Sequence, residues 1–506
     1  MNKGRIKISL AASALLCMGT SAMAGGDIAP VEPVVEAAKS DTPKRQLKGN
    51  MTVVYNTLPG SVDNLRDMFG EGIFYGRLRS NTFYWDWDTE TAKNQDNKAW
   101  GLGGSLIYKS AVLNGFSFTM GYYGSLNPDF FREDDADVGF VKAGKDTFSR
   151  YKVKHTGAYG MHVLGQAYLE YNNGTVDAKA GRQLYESVFT ASNDTKMIPN
   201  TFDGVTVSAK VAPKTTARVA WFAKQKLRDH EDAHDLVTFQ DAAGDNWGNN
   251  DDAAVHKGLT YDAFVLAGED PNHDMFLGDI NTKAVDNLDF TLSALTVPGV
   301  VTDVVAEAHY RFNMDNGWAV RPGARYFHQM DNDGGAVGGA ALSGNETGYD
   351  AGAVGSLDSS LFCGRVDLEM PNKKGYFRLG YSKVADEADI LAPWRGFPTG
   401  GFTRAMAQYN WVANTETFMA RAHYKFNSTW TASLRYAIQD FDDTKPGAQA
   451  DSDIWHLDTW TNITKRLQMR TRIGIVTADD DIITTGGGLK TDVSYNEYRL
   501  EFNYLF

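Results

Sequence analysis

The sequence predicts an all-β fold, a transmembrane antiparallel β-barrel of 18 strands with short periplasmic turns and long extracellular loops. Three observations lead there. The final segment, Asp492 to Phe506, places Tyr498, Leu500, Phe502, Tyr504 and Phe506 on one parity and Arg499, Glu501 and Asn503 on the other. Successive side chains of a strand point to opposite faces, so one face is aromatic and the other polar. The same alternation recurs in segments of about ten residues, the length that crosses a bilayer as a tilted strand. Short and long gaps between these segments alternate, the polarity expected of a barrel with turns at one end and loops at the other.

The segments assigned as strands are 75–88, 98–109, 113–124, 161–172, 174–184, 201–211, 215–226, 259–267, 286–296, 301–312, 317–328, 356–370, 374–384, 413–426, 429–441, 452–464, 466–478 and 493–506. Several tight gaps carry residues that supply hairpin geometry, among them Asn114-Gly115, Asn172-Asn173-Gly174, Ala212-Pro213-Lys214 and Asp315-Asn316-Gly317. The long gaps are 125–160, 185–200, 227–258, 329–355, 385–412 and 442–451.

Residues 1–24 read as a secretory signal: Lys3, Arg5 and Lys7 precede the apolar run Ile8 to Met18, and Ala22-Met23-Ala24 is a cleavage site. Residues 25–74 are assigned as a periplasmic extension. Pro30, Glu32 and Pro33 head its aperiodic first part (25–50), and 61–70 is a short, helical plug or turn. The barrel then occupies 75–506. With 27 Phe, 23 Tyr and 11 Trp against 14 Pro, the composition favours strands over disorder. Mean hydropathy is −0.37, and no stretch after the signal is apolar enough for a membrane helix, which fits either a soluble exported protein or a barrel wall apolar only at every second residue. The formal charge of −13 argues against nucleic acid as a partner. Of the two cysteines, Cys17 lies in the signal, so Cys363 has no intrachain partner.

Function is expected on the polar parity. An arginine or lysine facing lipid at mid-depth costs about 2–4 kcal/mol, so the charged parity must face the bore. That rule places Arg77, Arg79, Arg311, Arg321, Arg325, Arg378, Arg421, Lys425, Arg435, Arg470, Arg472 and Arg499 inward, with Glu307, Arg365, Asp367, Glu369 and Glu501 among them. The acids gather instead in loops such as Glu133-Asp134-Asp135, Asp251-Asp252 and Asp479-Asp480-Asp481. For any single arginine, pairing with a neighbouring acid is the simpler reading. The set has more bases than acids, and guanidinium groups suit carboxylate and phosphate. Small anionic or carboxylated solutes are therefore the expected cargo, with outer-membrane lipid around the wall.

At Gly181-Arg182-Gln183, and again from Ala191 through Asn193-Asp194-Thr195-Lys196-Met197-Ile198-Pro199 to Phe202-Asp203-Gly204, the chain resembles the OprD-type substrate-specific porins. The resemblance implies eighteen strands, a narrow eyelet and a basic ladder for carboxylate-bearing nutrients. It also implies that the 185–200 loop, with Asn193, Asp194 and Lys196, folds inward at the constriction. The Pro/Glu-rich N-terminal extension and the acidic long loops depart from that pattern. Barrels of this size occur singly and as homotrimers.

Rival functions are weaker. A barrel hydrolase needs a nucleophile and histidine at one depth, yet the strand histidines His309, His328 and His423 accompany no G-x-S-x-G motif, so no catalytic residues are assigned. A metal-uptake transporter needs a plug domain larger than the segment before Tyr75. Asp479-Asp480-Asp481 lacks the alternating ligands of a calcium loop, and Gly486-Gly487-Gly488 opens no helix that would cradle phosphate. No cofactor or metal is expected. A structural or adhesive barrel is the remaining alternative.

Overall fold

A computed structural model of the protein describes residues 45–506 except 50, 56, 93, 239–258, 339–354, 407–408, 444–448, 481 and 483–492. The signal segment, residues 25–44, Asp251-Asp252 and Gly486-Gly487-Gly488 lie outside the described residues. Eighteen long strands close into one antiparallel barrel. They are β1 (Ile73–Trp87), β2 (Asn97–Lys109), β3 (Phe116–Leu126), β4 (Met161–Asn172), β5 (Val176–Gln183), β6 (Thr201–Ala212), β7 (Thr215–Lys226), β8 (Met275–Thr282) and β9 (Leu288–Val297). The second half runs β10 (Val301–Tyr310), β11 (Ala319–Asp331), β12 (Ser359–Glu369), β13 (Gly375–Val384), β14 (Glu416–Lys425), β15 (Trp430–Asp440), β16 (Ser452–Asn462), β17 (Leu467–Ala478) and β18 (Tyr495–Leu505). Each strand pairs with its sequence neighbours. β18 closes on β1 with Tyr498 opposite Tyr84 and Glu501 opposite Asn81, and Phe506 exchanges both backbone hydrogen bonds with Gly76. Closure leaves no free edge, the condition for a sheet to cross lipid.

Alternation decides which side of the wall each residue takes. On β14, Phe418 is exposed while Met419, Arg421 and His423 are buried; on β15, Leu434 is exposed while Ser433 and Arg435 are buried. The outward set (Leu78, Met120, Val219, Phe276, Leu379, Phe418, Ile475 and Leu500 among others) makes an apolar band around the barrel. Among the described residues no helix is long and apolar enough to span a membrane; the strands do the crossing. Outward charges towards the loop end meet across neighbouring strands: Arg182 is bound by Asp203 at 2.7 Å, and Lys383 approaches Glu416 at 3.9 Å. At the turn end Asn114 and Gly115 both take positive φ, which a two-residue hairpin of the right twist requires.

Seventeen of the assigned strands coincide with observed ones. The eighteenth, 259–267, is a correction: Tyr261–Ala267 is a helix, and the eighth barrel strand is Met275–Thr282. The helix signals were present, since the Thr260 hydroxyl accepts from the Ala263 amide and Gly268 ends the helix in the left-handed region. The strand was hidden because its inward residues Met275 and Leu277 are apolar too, packing against inward-folded loops, while Gly278 interrupts its outer face. The two errors cancel in the strand count.

The loops fold into the barrel. A core of Tyr185, Val188, Phe189, Trp394, Phe402 and Trp411 joins the 184–200 and 385–415 loops to the inner faces of β7–β13. The loops are stitched together by Ala191 N–H to Trp394 O (3.0 Å) and Gly396 N–H to Phe189 O (2.9 Å). A Cβ at Gly396 would lie 2.2 Å from the Phe189 carbonyl carbon, so only glycine permits this approach.

The N-terminal segment has structure of its own. Arg45–Leu47 pairs with Val53–Tyr55 as a hairpin. Ser61–Val62 then runs parallel to Val112–Leu113 at the turn end. The helix α1 (Leu65–Gly70), capped by Asn64, sets Phe69 against the outward ring of Phe118, and the Tyr108 hydroxyl donates to the Phe69 carbonyl at 2.6 Å. The helical reading of 61–70 thus holds for its second half.

Candidate functional site

The candidate site is built where the 184–200 loop meets the wall. Asp194, 1 % exposed, receives Arg77 at 2.6 Å and Arg79 at 3.0 Å. Arg79 also binds Glu501 at 2.5 Å, and Asn81 donates to the carbonyls of Thr195 and Lys196. Two successive inward positions of β1 thereby clamp one loop carboxylate, so the loop is held at its centre as well as its ends. Asn193, the third candidate of this loop, offers its carbonyl to Arg228 and takes positive φ.

On the far side of the loop, cations gather around fewer anions. Arg228 binds Asp146 at 2.6 Å, and Lys196 approaches the same carboxylate at 3.9 Å. Lys196 also lies 4.5 Å from the centre of the Phe83 ring, over which Arg499 sits at 5.5 Å while paired with Glu497. Arg404 caps the Phe397 ring at 3.5 Å and has no carboxylate partner among the described residues. Burial lowers Arg404 to about 10; neighbouring Tyr409 opposes the shift, and the charges of Arg228, Arg499 and Arg395 add to it. Burial, then the nearby Arg499, pushes the Lys196 ammonium well below the ordinary lysine range, with Asp146 opposing. Asp146 is held ionised below the usual carboxylate range; burial works against this, and Arg228 and Lys196 outweigh it.

A pH dependence follows. A lysine contributes positive charge below its pKa and loses it as pH rises through that value. The positive charge that Lys196 adds to this loop should therefore be lost on alkalinisation well before the ordinary lysine value of 10.5 is reached. Lys196→Arg, whose guanidinium stays charged, should remove that step from a plot of reversal potential against pH.

A second group lies on β14–β17. The Asp458 carboxylate serves Arg470 (2.8 Å), Arg472 (3.3 Å), Arg435 (3.6 Å) and His456 (3.0 Å). Beside it Arg421, about nine-tenths buried, donates to the Ser433 hydroxyl at 2.8 Å and stacks over Tyr376. No carboxylate among the described residues pairs with Arg421, and its Nη2 is left unbonded. Three guanidinium groups thus share one carboxylate, and a fourth has only a hydroxyl.

Other sequence candidates hold the fold together. Arg325 is bound to Glu307 and donates to Pro398 O at 2.6 Å. Arg378 is bidentate to Asp367, and both it and Arg365 donate to Gly401 O. These arginines anchor the 385–415 loop through its carbonyls. Arg311 with Glu369, Arg321 with Asp289, and exposed Lys425 sit towards the turn rim, apart from the Asp194 clamp. His328 faces outward beside Tyr326, whereas His309 is bonded to Glu307 and His423 packs on Tyr376, so these histidines form no common site.

Sequence reading missed Asp146, Arg228, Arg395 and Arg404 because they lie in loops, where no parity tells inside from outside. Asp458 and Glu497 carried a signal that was not used, since both occupy the inward parity of their strands.

No family model and no curated protein matches the chain. Solved structures do. OccK8 (OprE) of Pseudomonas aeruginosa superposes with a TM-score of 0.62 at 14 % identity, over 87 % of this chain and 99 % of that one. OccAB2 of Acinetobacter baumannii and Pseudomonas aeruginosa OpdK crystallised with vanillate each give 0.61 at 13 %, with the same coverage of both chains. At such identity the likeness is one of fold: the chain has the eighteen-stranded architecture of these outer-membrane porins, as the resemblance at residues 181–204 implied.

Proposed function

We propose that this protein is a bacterial outer-membrane porin through which small anionic or carboxylate-bearing solutes diffuse passively. Its apolar outer band and its fold, shared with porins, support the location and the channel role. The observation that carries the anion preference is the uneven sharing at Asp458 and Arg421, repeated at Lys196 and Arg404. A solute carboxylate can complete the coordination of a guanidinium that the protein itself leaves short of acceptors. Arg421, Arg435, Arg470 and Arg472 line the approach from the turn end, and the loop cluster around Lys196 forms the narrows. Exchange of bidentate contacts from one arginine to the next lets a carboxylate advance without full rehydration. The vanillate bound to OpdK is itself a small carboxylate, which fits this chemistry.

The test is planar-bilayer recording with reversal potentials in a salt gradient. Anion preference is expected, falling when Arg435 and Arg470 are both replaced by Ser. Cation preference unaffected by the double replacement would remove the arginine pathway and leave the porin reading intact. No opening events from verified folded protein would favour a structural or adhesive barrel instead.

A further inference from the structure

The hairpin Arg45–Tyr55 lies inside the barrel rather than below it. Its turn is closed by Met51 N–H to Lys48 O (2.8 Å) and Lys48 N–H to Thr52 O (2.9 Å). Met51 is 3 % exposed, and its carbonyl accepts from Arg77 Nη1 at 2.7 Å. Arg77 is an inward residue whose other nitrogen holds Asp194, so the hairpin tip stands directly beneath the constriction loop. Further towards the turn end, Tyr55 stacks on inward-facing Tyr75 with ring centres 5.7 Å apart and nearly parallel planes, and Arg45 covers the other partner of that stack, Tyr55, at 5.3 Å. The tip reaches four residues beyond the start of β1, roughly 13 Å of strand. The chain enters and leaves this hairpin on the turn side, since Ser61–Val62 pairs with the β2–β3 turn.

We propose that residues 45–55 are an autoinhibitory plug, docked in the periplasmic mouth at Arg77 and Tyr75 and closing the passage until displaced. The proposal rests on the porin reading and goes beyond it. Residues 43–56 carry Lys44, Arg45 and Lys48 and no acid, so the plug brings no carboxylate to the arginines of the wall, and the Met51 carbonyl and the Tyr55 ring are among the contacts that dock it. A positively charged plug attached at one end also responds to voltage. A potential drawing cations inward from the turn side holds it seated, and the opposite polarity expels it.

The experiment compares the full mature chain with a variant lacking residues 45–56, both checked for a folded barrel by heat-modifiable gel migration, in planar bilayers. The full chain is expected to close asymmetrically with voltage. The deletion should abolish the asymmetry and raise mean conductance about twofold or more. Tyr55→Ala should shift the full chain towards the open level. A synthetic peptide of residues 45–55, added to the turn side of the deletion variant, should block it again in a dose-dependent way. Equal conductance and equal voltage response in full chain and deletion, with no block by the peptide, would overturn the plug while leaving a working porin. Silence from both folded proteins would overturn the plug together with the porin reading.

Discussion

Asp194→Asn will loosen the 184–200 loop and, if that loop narrows the passage as proposed, produce larger, noisier single-channel currents. The side chain keeps its shape, and the charge that serves Arg77 and Arg79 is lost. Arg79 retains Glu501, whereas Arg77 is left with the Met51 carbonyl and the Asn503 side chain. Removing one partner of a buried ion pair costs about 3–5 kcal/mol, because the remaining charge stays desolvated without compensation. The barrel ladder is untouched, so the loss should fall on the loop rather than on the fold. Three measurements separate these: current noise and proteolytic cleavage within 184–200 should rise, while heat-modifiable migration stays that of a closed barrel. Unchanged current and unchanged protection of the loop would show that the Arg77–Asp194–Arg79 clamp does not hold the narrows.

Asp458→Asn is expected to have the largest effect on selectivity. The wild-type carboxylate is shared by three guanidinium groups and His456, and it is fully buried. Asparagine leaves Arg435, Arg470 and Arg472 without their common anion, again at about 3–5 kcal/mol of stability, and makes the wall one unit more positive. Melting temperature should fall and the anion-to-cation permeability ratio should rise. The two readouts carry different information. A lower melting temperature with an unaltered reversal potential would mean that these arginines support the wall without facing the permeating ion.

Legibility differed sharply between the wall and its contents. Period-two alternation is imposed on each strand by its two solvents, so Phe418 against Arg421, or Leu434 against Arg435, could be sorted without coordinates. The same rule failed at Met275–Thr282, where inward-folded loops make the interior apolar and the two faces alike. It misread Tyr261–Ala267, where capping residues outweighed an apolar run. Among the candidate residues, Asp194 and Lys196 were legible only through resemblance, because a loop has no parity. That Arg325 and Arg378 anchor the 385–415 loop, whereas Arg421 meets no acid among the described residues, could not be read from any strand.

The chain alone determined the barrel and which parity of most strands faces outward, since both follow from local alternation against lipid; the count of eighteen held because a strand assigned at 259–267 offset the one missed at Met275–Thr282. Tertiary structure decided how the inward bases are used. Whether a guanidinium meets a carboxylate, a loop carbonyl or nothing depends on residues distant in sequence, as with Arg79 and Glu501 or Arg325 and Pro398. The same holds for the N-terminal hairpin, whose place beneath the constriction is set by Arg77 and Tyr75 and by no pattern within residues 45–55.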